Sequence, residues 1–229
     1  MRKFEFQSGE YYHIFNQGVD KRNVFLDAKD YIRFIRSMRE FNRIEPIGSL
    51  YTWTREYEDL SIYGESIQSN PNPLKDSGCL VDYGLVEIVI YALLPNHYHF
   101  ILKQKRAGGI SKFMQKLSMG YTNYFNFKHK RRGYLFQSKF KSIQIKTDEY
   151  LIYLSAYING NPEIHKLSLA HQWPWSSYQD YLKIRNGTMC NKIIILNQFQ
   201  NVAVYRKYVN IVINSSKQKK DDIKKHLLE

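Results

Sequence analysis

At 229 residues with 43% hydrophobic side chains, the chain is long enough for one domain with a substantial core and too apolar for general disorder. Its 34 Lys and Arg against 21 Asp and Glu give a formal charge of +13, which favours a polyanionic partner through phosphate contacts and counterion release. No run of about 18 apolar residues occurs, and the start, Met1 to Phe6, lacks the apolar centre of a signal peptide. No membrane span is expected, and the cytoplasm is the expected compartment. Cys79 and Cys190 are the only cysteines, too few for a disulfide framework or a zinc spacing. The 19 Tyr and 13 Phe beside so much positive charge suit the stacking surfaces that bind single-stranded nucleic acid.

Tyr11-Tyr12-His13-Ile14-Phe15-Asn16 reads as a first strand, closed by Gln17-Gly18. Asp27 is placed to cap a helix over about 28–42, with Tyr31, Phe34, Ile35 and Met38 as the buried stripe. Arg33, Arg36 and Arg39 fall on other faces, as solvated charge. Residues 45–84 read as an insertion: Asn70-Pro71-Asn72-Pro73 and Asp76-Ser77-Gly78 are loop chemistry, while Tyr51, Trp53 and Tyr57 suggest packing before them.

The centre of the chain is a hairpin over about 85–104. The run from Val86 to Leu93 is β-prone, Pro95-Asn96 is turn chemistry, and His97 and His99 open the second strand. Side chains alternate along a strand, so the two imidazoles share one face and Tyr98 and Phe100 take the other. Neighbouring imidazoles of this kind can grip one divalent metal. Gly108-Gly109 precedes a helix over about 110–128, with Ile110, Phe113, Met114, Leu117, Tyr121, Tyr124 and Phe125 at core spacing.

The basic cluster Lys128-His129-Lys130-Arg131-Arg132 is either a solvated helix end or, with the alternating aromatics and bases of Tyr134 to Lys141, an edge that binds a nucleic-acid backbone. A strand is expected over 140–146. Thr147 then caps a helix over about 148–160, which Pro162 ends. On that helix Leu151, Leu154 and Ile158 form one stripe, and Tyr150, Tyr153, Tyr157 and Asn161 a second. Taken alone, the second stripe fits the edge of an amphipathic helix as well as a site. Trp173-Pro174-Trp175-Ser176-Ser177-Tyr178 reads as an aromatic packing turn. A last helix is expected over about 198–213, followed by a frayed charged tail.

Five of these segments, in this order, resemble the single-tyrosine HUH transposases, a family of insertion-sequence enzymes and their REP-associated tyrosine transposase relatives. They are Tyr12 to Gly18 with Arg22-Asn23-Val24-Phe25, Leu94-Pro95-Asn96-His97-Tyr98-His99, Phe136 to Lys141, Tyr157-Ile158-Asn159-Gly160-Asn161-Pro162, and Trp173 to Tyr178. The resemblance covers about 11–180. It implies an α+β, ferredoxin-like sandwich with a central antiparallel sheet and helices packed on one side of it. The corresponding division is a transposase-like domain over 1–182, carrying the 45–84 insertion, and a C-terminal helical extension and tail over 183–229.

The resemblance also implies metal-dependent cleavage and rejoining of single-stranded DNA, with a hairpin-forming strand as partner and a monomer or homodimer as the working unit. His97, His99 and Asn161 take the family's metal-ligand positions, and Tyr157 that of the nucleophile, with Tyr153 as the alternate on the same stripe. The cation is magnesium or manganese on family grounds, although histidine ligands by themselves suit manganese or zinc better. Arg22, Asn23, Arg131, Arg132, Lys139 and Lys141 are candidates for contact with the nucleic acid. Two departures stand out: the length of the 45–84 segment, and Tyr98 where the family more often has an aliphatic residue or Phe. A second reading keeps the charge and aromatics but drops the chemistry, as an inactive or domesticated single-stranded nucleic-acid-binding protein. A histidine-metal hydrolase using water ranks last, for want of a carboxylate base near the histidines.

Overall fold

The computed structural model describes residues 5–44 and 84–226, with side chains to 219. Apart from Gly84, the 45–84 insertion and its aromatic residues lie outside the described residues, as does Cys79. Four strands, β1 (Tyr11–Gln17), β2 (Val86–Leu94), β3 (His97–Gln104) and β4 (Lys141–Ile145), form one sheet in the order β2-β3-β1-β4. Every pair is antiparallel. The long helices are α1 (Ala28–Glu40), α2 (Gly109–Lys128), α3 (Asp148–Ile164) and, after two short turns α4 (Tyr178–Tyr181) and α5 (Ile193–Leu196), α6 (Val202–His226). This is the expected α+β sandwich on a central antiparallel sheet.

Alternation along β1 and β3 divides the core in two. Tyr12, Ile14, Tyr98, Phe100 and Leu102 pack with Phe34 and Met38 of α1 and Phe113, Leu117 and Tyr121 of α2. On the other face Ala92, Leu94 and Ile101 pack with Leu151, Leu154 and Ile158 of α3, and Tyr205, Val209 and Ile213 of α6 back these. A register shift between Ile88 and Ile90 changes the phase of β2, so that Ile88 and Tyr91 serve the first core while Ile90 and Ala92 serve the second. Helices therefore lie on both faces of the sheet. The expectation of one helical side is corrected, because β2 is apolar on both faces and each must be covered.

Three further expectations change. Pro162 does not end α3, which runs to Ile164 with His165 as its cap. Pro162 leaves the Ile158 carbonyl without its helical donor, yet the turn closes through His165 N–H to Asn161 O at 2.9 Å and is buried around Asn161, Pro162 and Ile164. The charged stretch after 213 continues α6 to His226; Lys217 pairs there with Glu163 at 3.0 Å. Arg33 is half-buried and lies 5.1 Å over the Tyr124 ring, where a solvated charge was expected.

The expected caps hold. Asp27 accepts from Asp30 N–H, and Thr147 from Tyr150 N–H. The tryptophan turn is a packing element: Trp173 Nε1 donates to Leu93 O at 2.9 Å, and Trp175 stacks on Tyr31 with centroids 4.6 Å apart. Tyr98 is fully buried against Phe34, Phe100 and Phe136. Ser118 and Asn16 are its polar neighbours, although no hydrogen bond of good geometry closes on its hydroxyl.

Candidate metal centre and nucleic-acid interface

The register sets rows across the sheet on the face that carries α3. Lys141, Phe15, His99 and Ala92 form one row, and Ile143, His13, Ile101 and Ile90 the next. Gln17, His97 and Leu94 form a third on the other side of His99. The α3 helix covers the β2–β3 half of this face. Towards β4 the face is open: Phe15 is half-buried, Lys141 is exposed and Ile143 is 45% exposed. The histidines lie along the boundary between the covered and the open strip.

His97 and His99 have ring centroids 5.1 Å apart and nearly perpendicular planes. An ion held about 2.1 Å from one nitrogen of each ring spaces centroids roughly 4.5–5.5 Å apart, so the pair is spaced to share one cation. His97 Nδ1 is 2.6 Å from Asn96 Oδ1. Asn96 Nδ2 donates to Lys21 O, which turns the amide oxygen towards His97. A carbonyl oxygen only accepts, so Nδ1 carries a proton there. His99 is half-buried, and its Nδ1 lies 2.9 Å from His13 Nε2. Burial first, then the neighbouring His13, His97 and His165, hold its pKa well below the usual imidazole range. At neutral pH it is the uncharged form, which is the form that ligates.

From the other side α3 contributes Tyr157, Asn161 and His165, four residues apart on one stripe. The His165 ring is 5.1 Å from that of His97. Asn161 is fully buried one turn earlier; its Nδ2 donates to Tyr157 O at 3.3 Å, and its Oδ1 has no hydrogen-bond partner. The Tyr157 carbonyl accepts only from an N–H, which fixes the oxygen end of that amide. Tyr157 lies a further turn back, about 12 Å along the axis from His165. It is half-buried, and its ring neighbours Tyr153 at 6.4 Å. Burial raises the phenol pKa, the Asn161 side chain works against that, and Tyr153 adds to the rise. The structure thus brings His97, His99 and the C-terminal turn of α3 together, with the Tyr157 phenol near the Asn161 side chain and its ring facing Tyr153, which is 40% exposed.

Among the described residues, no three His, Cys, Asp or Glu side chains are grouped to hold a metal ion. The donors on this side of the sheet are the imidazoles of His97 and His99 and the amide oxygen of Asn161. A buried amide oxygen with no donor costs about 1–3 kcal/mol, and a cation is the kind of partner that removes that cost.

The candidate nucleic-acid residues divide by what already holds them. Arg22 is folded onto its own loop, with Nε donating to Val19 O and a guanidinium nitrogen 3.3 Å from Asp20. Arg131 is half-buried over the Phe125 ring at 5.7 Å. Asn23, Arg132, Lys139 and Lys141 are exposed, and Lys141 alone stands in the row of His99. In the cluster before Arg131, Lys128 and His129 are paired with Asp30, and Lys128 also with Asp27. Phe127 and Tyr134 flank this turn at 77% and 87% exposure.

The sequence reading gives no role in the site to Asn96, His13 or His165. The signals were present: His13 alternates with Phe15 on the outward face of β1, and His165 continues the Tyr157–Asn161 spacing by four. The spacing was lost because Pro162 was read as the end of the helix.

Residues 80–161 match the family model described as transposase IS200 like. Among solved structures, the chain is similar to a REP-associated tyrosine transposase bound to a REP hairpin. The TM-score is 0.52 at 15% sequence identity, covering 82% of this chain and 86% of that one. No curated protein matches the sequence. The resemblance read from the motifs is thus borne out by the family pattern in the sequence and by the fold. Among the described residues, no helix is long and apolar enough to cross a membrane.

Proposed function

We propose, from the premise that residues 80–161 carry the IS200-like transposase pattern, that this protein cuts and rejoins single-stranded DNA through a tyrosine ester. The observation that carries the reading is the contact of His97 with His165, which sets the tyrosine helix against the histidine pair. His97 and His99, through their Nε2 atoms, and Asn161, through Oδ1, would hold a divalent cation, manganese or magnesium. Such a cation supplies charge neutralisation at a phosphate. The strand lies along the open strip, its backbone charge met by Lys141 and Lys139 and its bases by exposed aromatics.

In the chemical step the Tyr157 oxygen forms a bond to phosphorus and the bond from phosphorus to the 3′-oxygen breaks. The phenol gives up one proton and the released 3′-hydroxyl gains one. The 5′-phosphate remains as a tyrosine ester of similar energy, so the reverse attack rejoins a strand without a nucleotide cofactor. Burial raises the phenol pKa and keeps it protonated at rest. That resting protonation is also what favours the second reading, a binding protein without chemistry.

A denaturing gel separates the two. Single-stranded hairpin oligonucleotides with manganese should give a DNA-linked protein band with the wild type and none with Tyr157→Phe. An adduct that survives Tyr157→Phe and disappears in Tyr153→Phe would reassign the nucleophile. Binding with no adduct from any form would support the inactive reading.

A further inference from the structure

We infer that His13 is a positioning residue that fixes the tautomer of His99, holding its Nδ1 proton so that Nε2 faces outward as a free lone pair. The inference rests on the metal-site reading above. Its footing is the 2.9 Å contact between His13 Nε2 and His99 Nδ1, across the β1–β3 pairing.

A neutral imidazole has one N–H and one lone pair. If His13 donated to His99, the single proton of His99 would sit on Nε2, and neither of its nitrogens would be left to ligate. If His99 donates, its Nε2 is free. Only the second arrangement gives His99 the form that His97 already has, where the Asn96 carbonyl leaves no choice. The two histidines are then matched, each giving its Nδ1 proton to a neighbour. Asn96 does this from the turn beside its own histidine, and His13 from the adjacent strand.

The geometry around His13 suits holding more than ligating. Its ring is nearly parallel to that of His99, 19° between planes with centroids 5.2 Å apart, and Phe15 stacks on it at 4.7 Å and 28°. Rings that share an ion through their edges are not constrained to lie parallel, and the near-perpendicular His97–His99 pair is not. His13 is 7% exposed, whereas His99 retains a solvent-reachable edge. Partners of this kind set the basicity and orientation of a ligating histidine, and their loss typically weakens metal binding 10–100-fold.

The test uses the full chain and manganese alone. Long-range proton–nitrogen NMR of the metal-free protein should show His99 protonated at Nδ1. His13→Phe keeps a flat ring but removes the acceptor, and its manganese Kd should rise about 10–100-fold by calorimetry. His13→Gln restores an acceptor oxygen and should recover most of that loss, which a packing role would not. A His13→Phe protein that binds manganese like the wild type overturns the inference while leaving the site reading intact. A His99 signal protonated at Nε2, or a wild type that binds no manganese, overturns both.

Discussion

Two asparagines two residues apart on α3, Asn159 and Asn161, are both fully buried and differ in how they are paired. Asn159 is satisfied at both ends: Nδ2 donates to Tyr205 Oη at 2.8 Å, and Oδ1 accepts from Ser177 Oγ at 3.1 Å. It ties α3 to α6 and to the Trp173–Tyr178 turn. Asn161 makes one long bond to the Tyr157 carbonyl, and its oxygen has no partner. In a folded core, buried polar groups are paired, and an exception calls for a reason. The first amide has the pattern of a structural clamp, and the second that of a group kept for something outside the chain. The family motif contains both, so only their partners tell them apart.

The sharpest way to break this contrast is to remove the clamp. Asn159→Leu removes two buried bonds and leaves the Tyr205 hydroxyl to Ser155 and the Ser177 hydroxyl to the Tyr91 backbone, at a cost of roughly 1–3 kcal/mol in unfolding free energy. Urea denaturation should show the loss as a lower midpoint with the slope kept. A variant of wild-type stability would mean that the clamp contributes nothing.

Asn161→Ala should show the opposite profile. The bond it loses is long and local, and the deleted oxygen was already without a donor, so stability should stay within about 1 kcal/mol of wild type. Manganese affinity should fall about tenfold or more, which is about 1.4 kcal/mol or above. A large drop in the urea midpoint with metal binding unchanged would make Asn161 a second structural amide and remove it from the site.

The legible part of this molecule was whatever local chemistry dictates. The alternation in β1 and β3, the two-residue turn at Pro95-Asn96, and the caps Asp27 and Thr147 are read from neighbouring residues, and all are found. The His97–His99 pair was legible for the same reason, since it needs only a strand of period 2. The misreading of Pro162 has a non-local source. Pro162 forbids its own hydrogen bond, but packing of α6 against Gly160, where a Cβ would stand 2.6 Å from the Ile213 side chain, keeps α3 in place beyond it. The contact that holds the helix together lies about fifty residues away, and no local rule contains it. The same holds for His13 and His165: each acquires a role from a residue on another element, and the pairing exists only once β1 meets β3 and α3 crosses the sheet.

Lys141 supplies the smallest effect and extends the contrast to the open strip. Arg22 and Arg131 are already engaged by Asp20 and by the Phe125 ring, while Lys141 is exposed in the row of Phe15 and His99. If a strand crosses that row, Lys141→Ala removes one phosphate contact. Affinity for a single-stranded oligonucleotide should drop only a few-fold, and the slope of log affinity against log salt should become shallower by about 0.7. Arg22→Ala, taken from a residue whose charge is already spoken for, should change that slope less. An equal effect from both would mean that general positive charge binds the DNA, with no track along the histidine row. An unchanged slope for Lys141→Ala would move the strand off this face altogether, and with it the argument that the open half of the sheet delivers a phosphate to His97 and His99.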